Sequence, residues 1–156
     1  MKIRKAESRD IETLSVIENK LSRTHETLDS AYTLAENDVV EKETKHYLEM
    51  LLADKNCLVL VAEEESTVVG YLTACLECRP KIFQENLAGK IFSIYVERKS
   101  RGQGLAKKLL DVACQWMKEN KAPNAEISVS AHNKEGLAFW DSQGFKTTSM
   151  RKRKPL

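Results

Sequence analysis

Residues 93–110 read SIYVERKSRGQGLAKKLL, and the rest of the chain can be arranged around them. The segment begins as an apolar strand, passes through a short basic turn containing Gly102 and Gly104, and continues as an amphipathic helix. Because glycine has no Cβ, the turn can adopt positive φ and let a ligand approach the main chain closely. The first N–H groups of the following helix have no intrahelical partner and suit a phosphate. The segment therefore predicts a site for a small anion-bearing ligand, such as a nucleotide diphosphate.

Two common phosphate-binding patterns do not fit this turn. A Walker loop needs G-x-x-x-x-G-K followed by Ser or Thr, and the dinucleotide fingerprint needs a third glycine. A bare G-x-G after a strand could also be a simple connection between strand and helix. Two longer patterns favour a ligand: residues 99–104 read KSRGQG, and residues 133–145, further along the chain, read NKEGLAFWDSQGF.

Both stretches resemble motifs of the GNAT superfamily of N-acetyltransferases. The acetyl-CoA motif of that family is usually written Q/R-x-x-G-x-G/A, so Lys99 stands here in place of Gln or Arg. The second stretch keeps the family's spacing of an Asn, an aromatic residue and a Gly-Phe pair. The order of elements also fits, so the resemblance implies one acetyltransferase domain over residues 1–156.

Hydrophobic periodicity predicts the order strand, two helices, three strands, helix, strand, helix, strand. The strands are expected at residues 3–6, 57–62, 68–76, 91–96, 126–130 and 145–151, with a helix at 38–53 and a loop at 22–30. The resulting fold class is α/β. It is a single mixed, mostly antiparallel central sheet with helices on both faces, as in the GNAT (acyl-CoA N-acyltransferase) fold.

The resemblance implies a place for each part of acetyl-CoA, which would bind as co-substrate. In GNAT enzymes the strand before the glycine turn and the strand after its helix splay apart, and the pantetheine arm enters between them. The contact residues carried over by position are Ile94, Tyr95 and Val96 on the strand, Arg101, Gly102, Gln103, Gly104, Leu105 and Ala106 around the diphosphate, and Asn133 and Trp140 on the far side of the arm.

Aminolysis of a thioester needs a neutral amine, a site for the oxyanion and a thiolate that can leave. A lysine-like amine with a pKa of about 10.4 is almost wholly protonated at pH 7, so some group must accept its proton. The family's frequent general acid is a Tyr at the position of Trp140, and an indole N–H cannot usefully give up its proton. Glu77 and Tyr95 are the nearest candidates for a base by chain position, with His132 or a water relay as alternatives. The sequence therefore assigns neither the general acid nor the general base.

Composition and charge bear on four other classes: nucleic-acid binders, membrane proteins, secreted proteins and metalloproteins. The net charge of +2 is too small to argue for nucleic acid, and the basic residues 151–154 are expected to form a solvated tail. No apolar run approaches the ~20 residues of a membrane span, and the start of the chain has no apolar signal-peptide core. These features predict a cytoplasmic protein whose four cysteines remain thiols, without a metal site.

The sequence thus predicts an acetyl-CoA-dependent N-acyltransferase that acts by direct attack of a primary amine, carried by a small molecule or a protein. The alternative is a non-catalytic acyl-CoA-binding module, motivated by the departures at Lys99 and Trp140. A third hypothesis is nucleic-acid or partner binding through residues 151–154. Because relatives often pair through their last strands, a homodimer is among the expected assemblies.

Overall fold

A five-stranded sheet forms the centre of the protein, whose computed structural model describes residues 1–29 and 32–154. The strands follow one another in the sheet as β1 (Lys2–Lys5), β2 (Cys57–Glu64), β3 (Thr67–Cys78), β4 (Leu87–Val96) and β5 (Ala125–Ile127). The helices are α1 (Ile11–Leu28), α2 (Asn37–Ala53), α3 (Leu105–Glu119) and α4 (Lys134–Ser142), with 3₁₀ turns at Ser8–Asp10 and Arg98–Ser100. Strands β1 to β4 pair antiparallel, and β4 pairs with β5 in parallel.

The sheet separates two apolar cores, one on each face. On one face α3 presents an apolar stripe at helical spacing to the sheet, and Trp140 of α4 joins the same cluster. The buried residues of that stripe are Leu105, Leu109, Leu110, Ala113 and Met117. On the other face α1 and α2 bury Leu14, Ile17, Leu48 and Leu51 against β2 and β3. The predicted mixed, mostly antiparallel sheet flanked by helices on both faces is therefore confirmed.

A tight hairpin joins β2 to β3. Its two central residues, Glu65 and Ser66, have φ values of 46° and 65°, the signature of a type I′ turn. Such a turn matches the right-handed twist of the strands it connects and sets their register. That register places Cys57 directly opposite Cys75, with their Cα atoms 4.0 Å apart.

The cysteine prediction is wrong for two of the four residues. Cys57 and Cys75 form a disulfide across the β2–β3 pair, because directly opposed residues of antiparallel strands project their side chains to the same face. Cys78 and Cys114 are free thiols, the first exposed and the second half-buried. Cys75 and Cys78 therefore do not act as a pair.

Two other element predictions are also wrong. The predicted loop at residues 22–30 continues α1 as far as Leu28, and residue 30 lies outside the described part of the chain. No strand forms between residues 145 and 151. A strand needs a neighbour to complete its hydrogen bonds, and β5 stops at Ile127 while residues 146–154 are exposed. Within residues 1–29 and 32–154 no helix has the length and apolarity that a bilayer crossing requires.

An ion-pair cluster joins the start of the chain to the sheet. The guanidinium of Arg4 on β1 donates to both carboxylate oxygens of Asp10, at 2.7 and 2.9 Å, and to Glu63 on β2 at 3.2 Å. Asp10 is 5% exposed and also accepts the backbone N–H of Glu7 at 2.8 Å. The cluster therefore fixes the entry into α1 relative to β1 and β2.

Candidate functional site

The outer edge of β4 is paired with β5 along three of its ten residues. The parallel contact with β5 runs through three residue pairs, from Gly89–Ala125 to Ile91–Ile127. Immediately after Ile91 the register of β4 against β3 shifts, so that Phe92 is an extra residue in the strand. A bulge of this kind increases the local twist and turns the strand away from its neighbour. From Phe92 to Val96, β4 therefore offers an open edge.

The hydrogen-bond alternation of the β3–β4 pair shows which groups line that edge. The backbone N–H of Glu97 donates to Val69 O at 2.8 Å, so the hydrogen-bonded pairs in this register are 97–69, 95–71 and 93–73. The N–H and C=O groups of Ile94 and Val96 consequently point away from β3, toward the open edge. Those of Tyr95 point toward β3. The main-chain groups of these two residues therefore face the open side of β4 and not β3.

The glycine turn follows directly and ends at the N-terminus of α3. Gly102 and Gly104 have φ values of 77° and 73°, and a Cβ built on either glycine would meet no atom within 4 Å. Gly104 is the N-cap, and the first intrahelical bond runs from Lys108 N–H to Gly104 O at 3.0 Å. The preceding N–H groups carry no side-chain cap. They form a cluster of helix-end donors in open space, as a diphosphate site requires.

Arg101 links the turn to the open edge. Its Nε donates to Val96 O at 2.9 Å, and its guanidinium carbon lies 5.7 Å from the centre of the Tyr95 ring. A longer contact of 3.7 Å reaches Glu135 at the start of α4. The side chain of Arg101 therefore occupies the carbonyl that Val96 turns toward the open edge, and the Val96 N–H stays available there.

The second motif positions α4 beside this region. Asn133 caps the helix, because its side-chain oxygen accepts the N–H of Gly136 at 2.9 Å. Trp140 is 6% exposed and packs edge-to-face on Phe139 and Phe145, with ring centres 5.0 and 4.9 Å away. The indole thus lies in the core under α4 and has little surface to offer a reacting group.

The sequence offered two candidates for the general base, the Glu77 carboxylate and the Tyr95 hydroxyl, and these lie apart from one another. Glu77 sits opposite Ala88, at the end of the β3–β4 hairpin far from the glycine turn, and pairs with Lys90 at 2.8 Å. Tyr95 lies beside the turn, and its hydroxyl is 3.3 Å from Glu97, which holds Lys20 of α1 at 2.6 Å. The structure brings Tyr95 to the open edge and leaves Glu77 away from it.

Sequence reasoning missed Glu18, an acidic residue on α1 that faces the sheet. Its carboxylate accepts hydrogen bonds from the Tyr71 hydroxyl on β3 and from Ser93 Oγ on β4, the latter at 3.2 Å. Burial raises the pKa of Glu18, opposed in part by these two hydrogen bonds. A signal was present, since Glu18 interrupts the apolar stripe of Ile11, Leu14 and Leu21, and a polar residue on a buried face is informative.

This raised pKa carries a stability prediction. Between the ordinary pKa of a Glu, about 4.3, and the raised value, the folded protein holds a proton on Glu18 that the unfolded chain has lost. Glu18 therefore destabilises the fold progressively as the pH rises through that window. We expect Glu18→Gln to match or exceed the wild-type melting temperature at pH 8 and to lose that advantage near pH 4. Melting curves across this range check it, and a variant less stable than wild type at pH 8 would contradict it.

A shallow, open cavity of about 400 Å³ lies beside α1. It lies between α1 and the ends of β3 and β4, and the Lys20–Glu97 pair lines it together with Ile17 and Val68. In the part of the chain that the structure describes, no three His, Cys, Asp or Glu side chains are grouped as metal ligands would be. The site thus consists of main-chain donors and acceptors on β4 and the turn, with polar side chains from α1.

Comparisons with known proteins agree with this geometry. The profile of the acetyltransferase (GNAT) family matches residues 21–145. An uncharacterized N-acetyltransferase of Archaeoglobus fulgidus is 29% identical over 143 residues, which are 92% of this chain and 91% of that protein. Among solved structures, a Bacillus halodurans protein superposes with a TM-score of 0.88 at 18% identity over 100% of both chains. A predicted acetyltransferase of Clostridium acetobutylicum, solved with acetyl-CoA, gives 0.80 at 24% identity over 99% of this chain and 95% of that one.

Proposed function

Because the chain belongs to the acetyltransferase (GNAT) family, we propose that it transfers an acetyl group from acetyl-CoA to a primary amine. The observation that carries this proposal is the continuity of two features: the open edge of β4 runs straight into the glycine turn and the uncapped N-terminus of α3. A diphosphate at the turn would place the rest of an extended ligand along that edge. The Clostridium protein bound to acetyl-CoA supports the choice of ligand.

Each part of acetyl-CoA has a proposed partner in the chain. The diphosphate would accept hydrogen bonds from the main chain of residues 101–106, where positive φ at two glycines turns the N–H groups outward. The pantetheine arm and thioester would lie along Ile94, Tyr95 and Val96, with Asn133 and Trp140 on the far side of the arm. The Val96 N–H, which faces the open edge, would donate to the oxyanion.

The reaction proceeds in this proposal by direct attack of the amine on the thioester carbonyl. Holding both substrates in line supplies much of the rate, and a thiol pKa near 8.5 makes the thiolate a tolerable leaving group. Trp140 cannot supply a proton to the thiolate, because its indole is buried and is a donor of hydrogen bonds only. The leaving group therefore takes its proton from the nitrogen or from solvent.

The second candidate is a non-catalytic acyl-CoA-binding module. It is favoured by the burial of Trp140 at the position where relatives often carry a catalytic Tyr. Release of free CoA in the presence of a panel of primary amines separates the two, because a binding module turns over none of them. Amine-dependent CoA release is the expected result.

Ligand selectivity gives a second expected result. At ~100 times its dissociation constant, acetyl-CoA should add about 2.7 kcal/mol of stability, or roughly 5–10 °C in melting temperature. NAD and ATP, which carry phosphates but no pantetheine arm, should add much less at the same concentration. Equal shifts with all three ligands would indicate a general anion site and contradict the assignment of the open edge to the arm.

The proposal also covers the amine acceptor, the oligomeric state and the cellular location. The amine would approach from the α1–α2 face, where the cavity beside Lys20 and Glu97 lies, and could belong to a small molecule or to a protein. Residues 146–154 are exposed and outside the sheet, and a homodimer would use this end of the chain. A cytoplasmic location is proposed on composition.

A further inference from the structure

Glu18 links α1 to the open half of β4, because its carboxylate accepts a hydrogen bond from Ser93 Oγ at 3.2 Å. Its partner Ser93 follows the bulge at Phe92 and precedes Ile94, whose main-chain groups face the cleft. The other partner, Tyr71, lies on β3, the strand that pairs with β4, and is fully buried. As a residue, Glu18 is half-buried on α1.

The coenzyme and the amine are assigned to opposite faces of the sheet. Ile94 and Val96 pack with the α3 cluster, to which Leu105, the residue directly after the glycine turn, also belongs. Ser93 and Tyr95 project to the face covered by α1 and α2, where Glu18 and Lys20 meet them or their partners. If the coenzyme enters from the α3 side, the amine must approach the thioester from the α1 side. Glu18 then lies on the path of the amine.

The surroundings of Glu18 suit a carboxylate that changes its charge. It forms no ion pair with any lysine, arginine or histidine of the described residues; its partners are the hydroxyls of Tyr71 and Ser93. Tyr47 of α2 is the other titratable group close enough to interact with it. Burial and the neighbouring carboxylate raise the pKa of Tyr71, which keeps that hydroxyl a donor. A carboxylate without a cation can gain a proton at low cost.

We propose that Glu18 is the general base that takes the proton from the acceptor's ammonium group, an inference that rests on the proposed acetyl transfer. The Glu18 carboxylate accepts one proton from R–NH₃⁺ and leaves R–NH₂. The nitrogen lone pair forms the new N–C bond at the thioester carbonyl, and the C–S bond breaks with its electron pair on sulfur. The second nitrogen proton passes to the CoA thiolate, and Glu18 returns its proton to solvent.

The other two candidate carboxylates, unlike that of Glu18, are each paired with a lysine. Glu77 is held by Lys90 at the remote end of the hairpin. Glu97 lies near the turn, but an ion pair to Lys20 and a hydrogen bond from Tyr95 already satisfy it, and its pKa is lowered mainly by Lys20. A carboxylate that is stabilised in its charged form is a poorer proton acceptor.

The test compares acceptors that do and do not need deprotonation. Spermidine, a lysine-containing peptide and kanamycin carry ammonium groups at pH 7, whereas hydroxylamine is largely uncharged. CoA release by wild type, Glu18→Gln and Glu49→Gln is measured with each. Glu49 is a matched control, because it is an exposed glutamate on α2. We expect Glu18→Gln to lower kcat for the best ammonium acceptor by roughly 100-fold or more, and for hydroxylamine by less than tenfold.

Three readouts separate a base from a structural residue. Acetyl-CoA affinity and melting temperature should be unchanged or higher in Glu18→Gln, its residual rate should rise with pH as the free amine accumulates, and Glu49→Gln should behave as wild type. Equal losses with hydroxylamine and the ammonium acceptors, or no loss at all in an active enzyme, would overturn the role of Glu18 alone. A wild-type protein that releases no CoA with any of the four amines would overturn the proposed function and this inference with it.

Discussion

Replacing Gly104 with valine is expected to abolish measurable acetyl-CoA binding while the protein still folds. At φ 73° a β-branched residue is strained, so the turn shifts toward negative φ and rotates the N–H groups that lead into α3. Losing two hydrogen bonds to a charged diphosphate, at about 1.5–3 kcal/mol each, lowers affinity by roughly 100-fold or more. Titration calorimetry with acetyl-CoA measures the loss.

Gly144 provides a matched control for that variant. It ends α4 with φ 85° and has the same open space around a built Cβ, but it lies outside the turn. Gly144→Val should therefore pay a similar strain of about 1–3 kcal/mol and keep its acetyl-CoA affinity. Unchanged affinity in Gly104→Val, or an equal loss in both variants, would count against the turn as the diphosphate site.

Of the substitutions predicted for this protein, Asp10→Ala is expected to lower the free energy of unfolding most. The substitution leaves Arg4 with Glu63 as its one carboxylate partner and removes the acceptor of the Glu7 N–H. Breaking a buried charge pair typically costs about 3–5 kcal/mol, which corresponds to a fall of roughly 6–20 °C in melting temperature. Arg9→Ala is the control, because its pair with Glu7 is exposed and such pairs contribute about 0–1 kcal/mol.

The pH dependence of this effect has a defined sign. Hydrogen bonds from Arg4 lower the pKa of Asp10 below its ordinary value near 3.9, so the folded protein keeps the charged form to lower pH than the unfolded chain. The stabilisation is therefore complete above that ordinary value and is lost as the pH falls through the lowered one. Melting curves of wild type and Asp10→Ala should converge in acid. A gap that stays constant down to pH 2 would contradict this account.

The sheet and the glycine turn were predictable because their signals are local. Apolar runs at strand spacing defined β2, β3 and β4, and two glycines in a basic stretch marked the turn. The positive φ of Gly102 and Gly104 is a conformation that glycine adopts readily. The resemblance to a known family then supplied a ligand that the residues alone left unspecified.

The predictions that were wrong depend on contacts between distant parts of the chain. The second half of α1 is polar, and two hydrogen bonds hold it against α2: Arg23 donates to Asn37, and Asn19 accepts from Thr44 at 2.8 Å. The Cys57–Cys75 disulfide follows from the register of a hairpin, which single residues do not reveal. Residues 145–151 were expected to close the sheet as a last strand, but the sheet ends at β5 and this segment is not paired with it.

Glu18 shows the same limit at the site itself. Its place in the apolar stripe of α1 marks it as unusual, but its meaning depends on Tyr71 and Ser93, which lie 53 and 75 residues further along the chain. The argument from the sequence favoured Glu77 and Tyr95 because it considered residues on β4 and on the strand before it. The packing of α1 on the sheet brings in a carboxylate from outside that range.

A crystal structure of the protein with coenzyme A tests the central claim most directly. The account predicts diphosphate oxygens about 3 Å from backbone nitrogens within residues 101–106, with the pantetheine arm bonded to the main chain of Ile94 and Val96. It would be contradicted by a diphosphate bound elsewhere on the protein, or by protein side chains filling the space between β4 and β5 beyond Ile91.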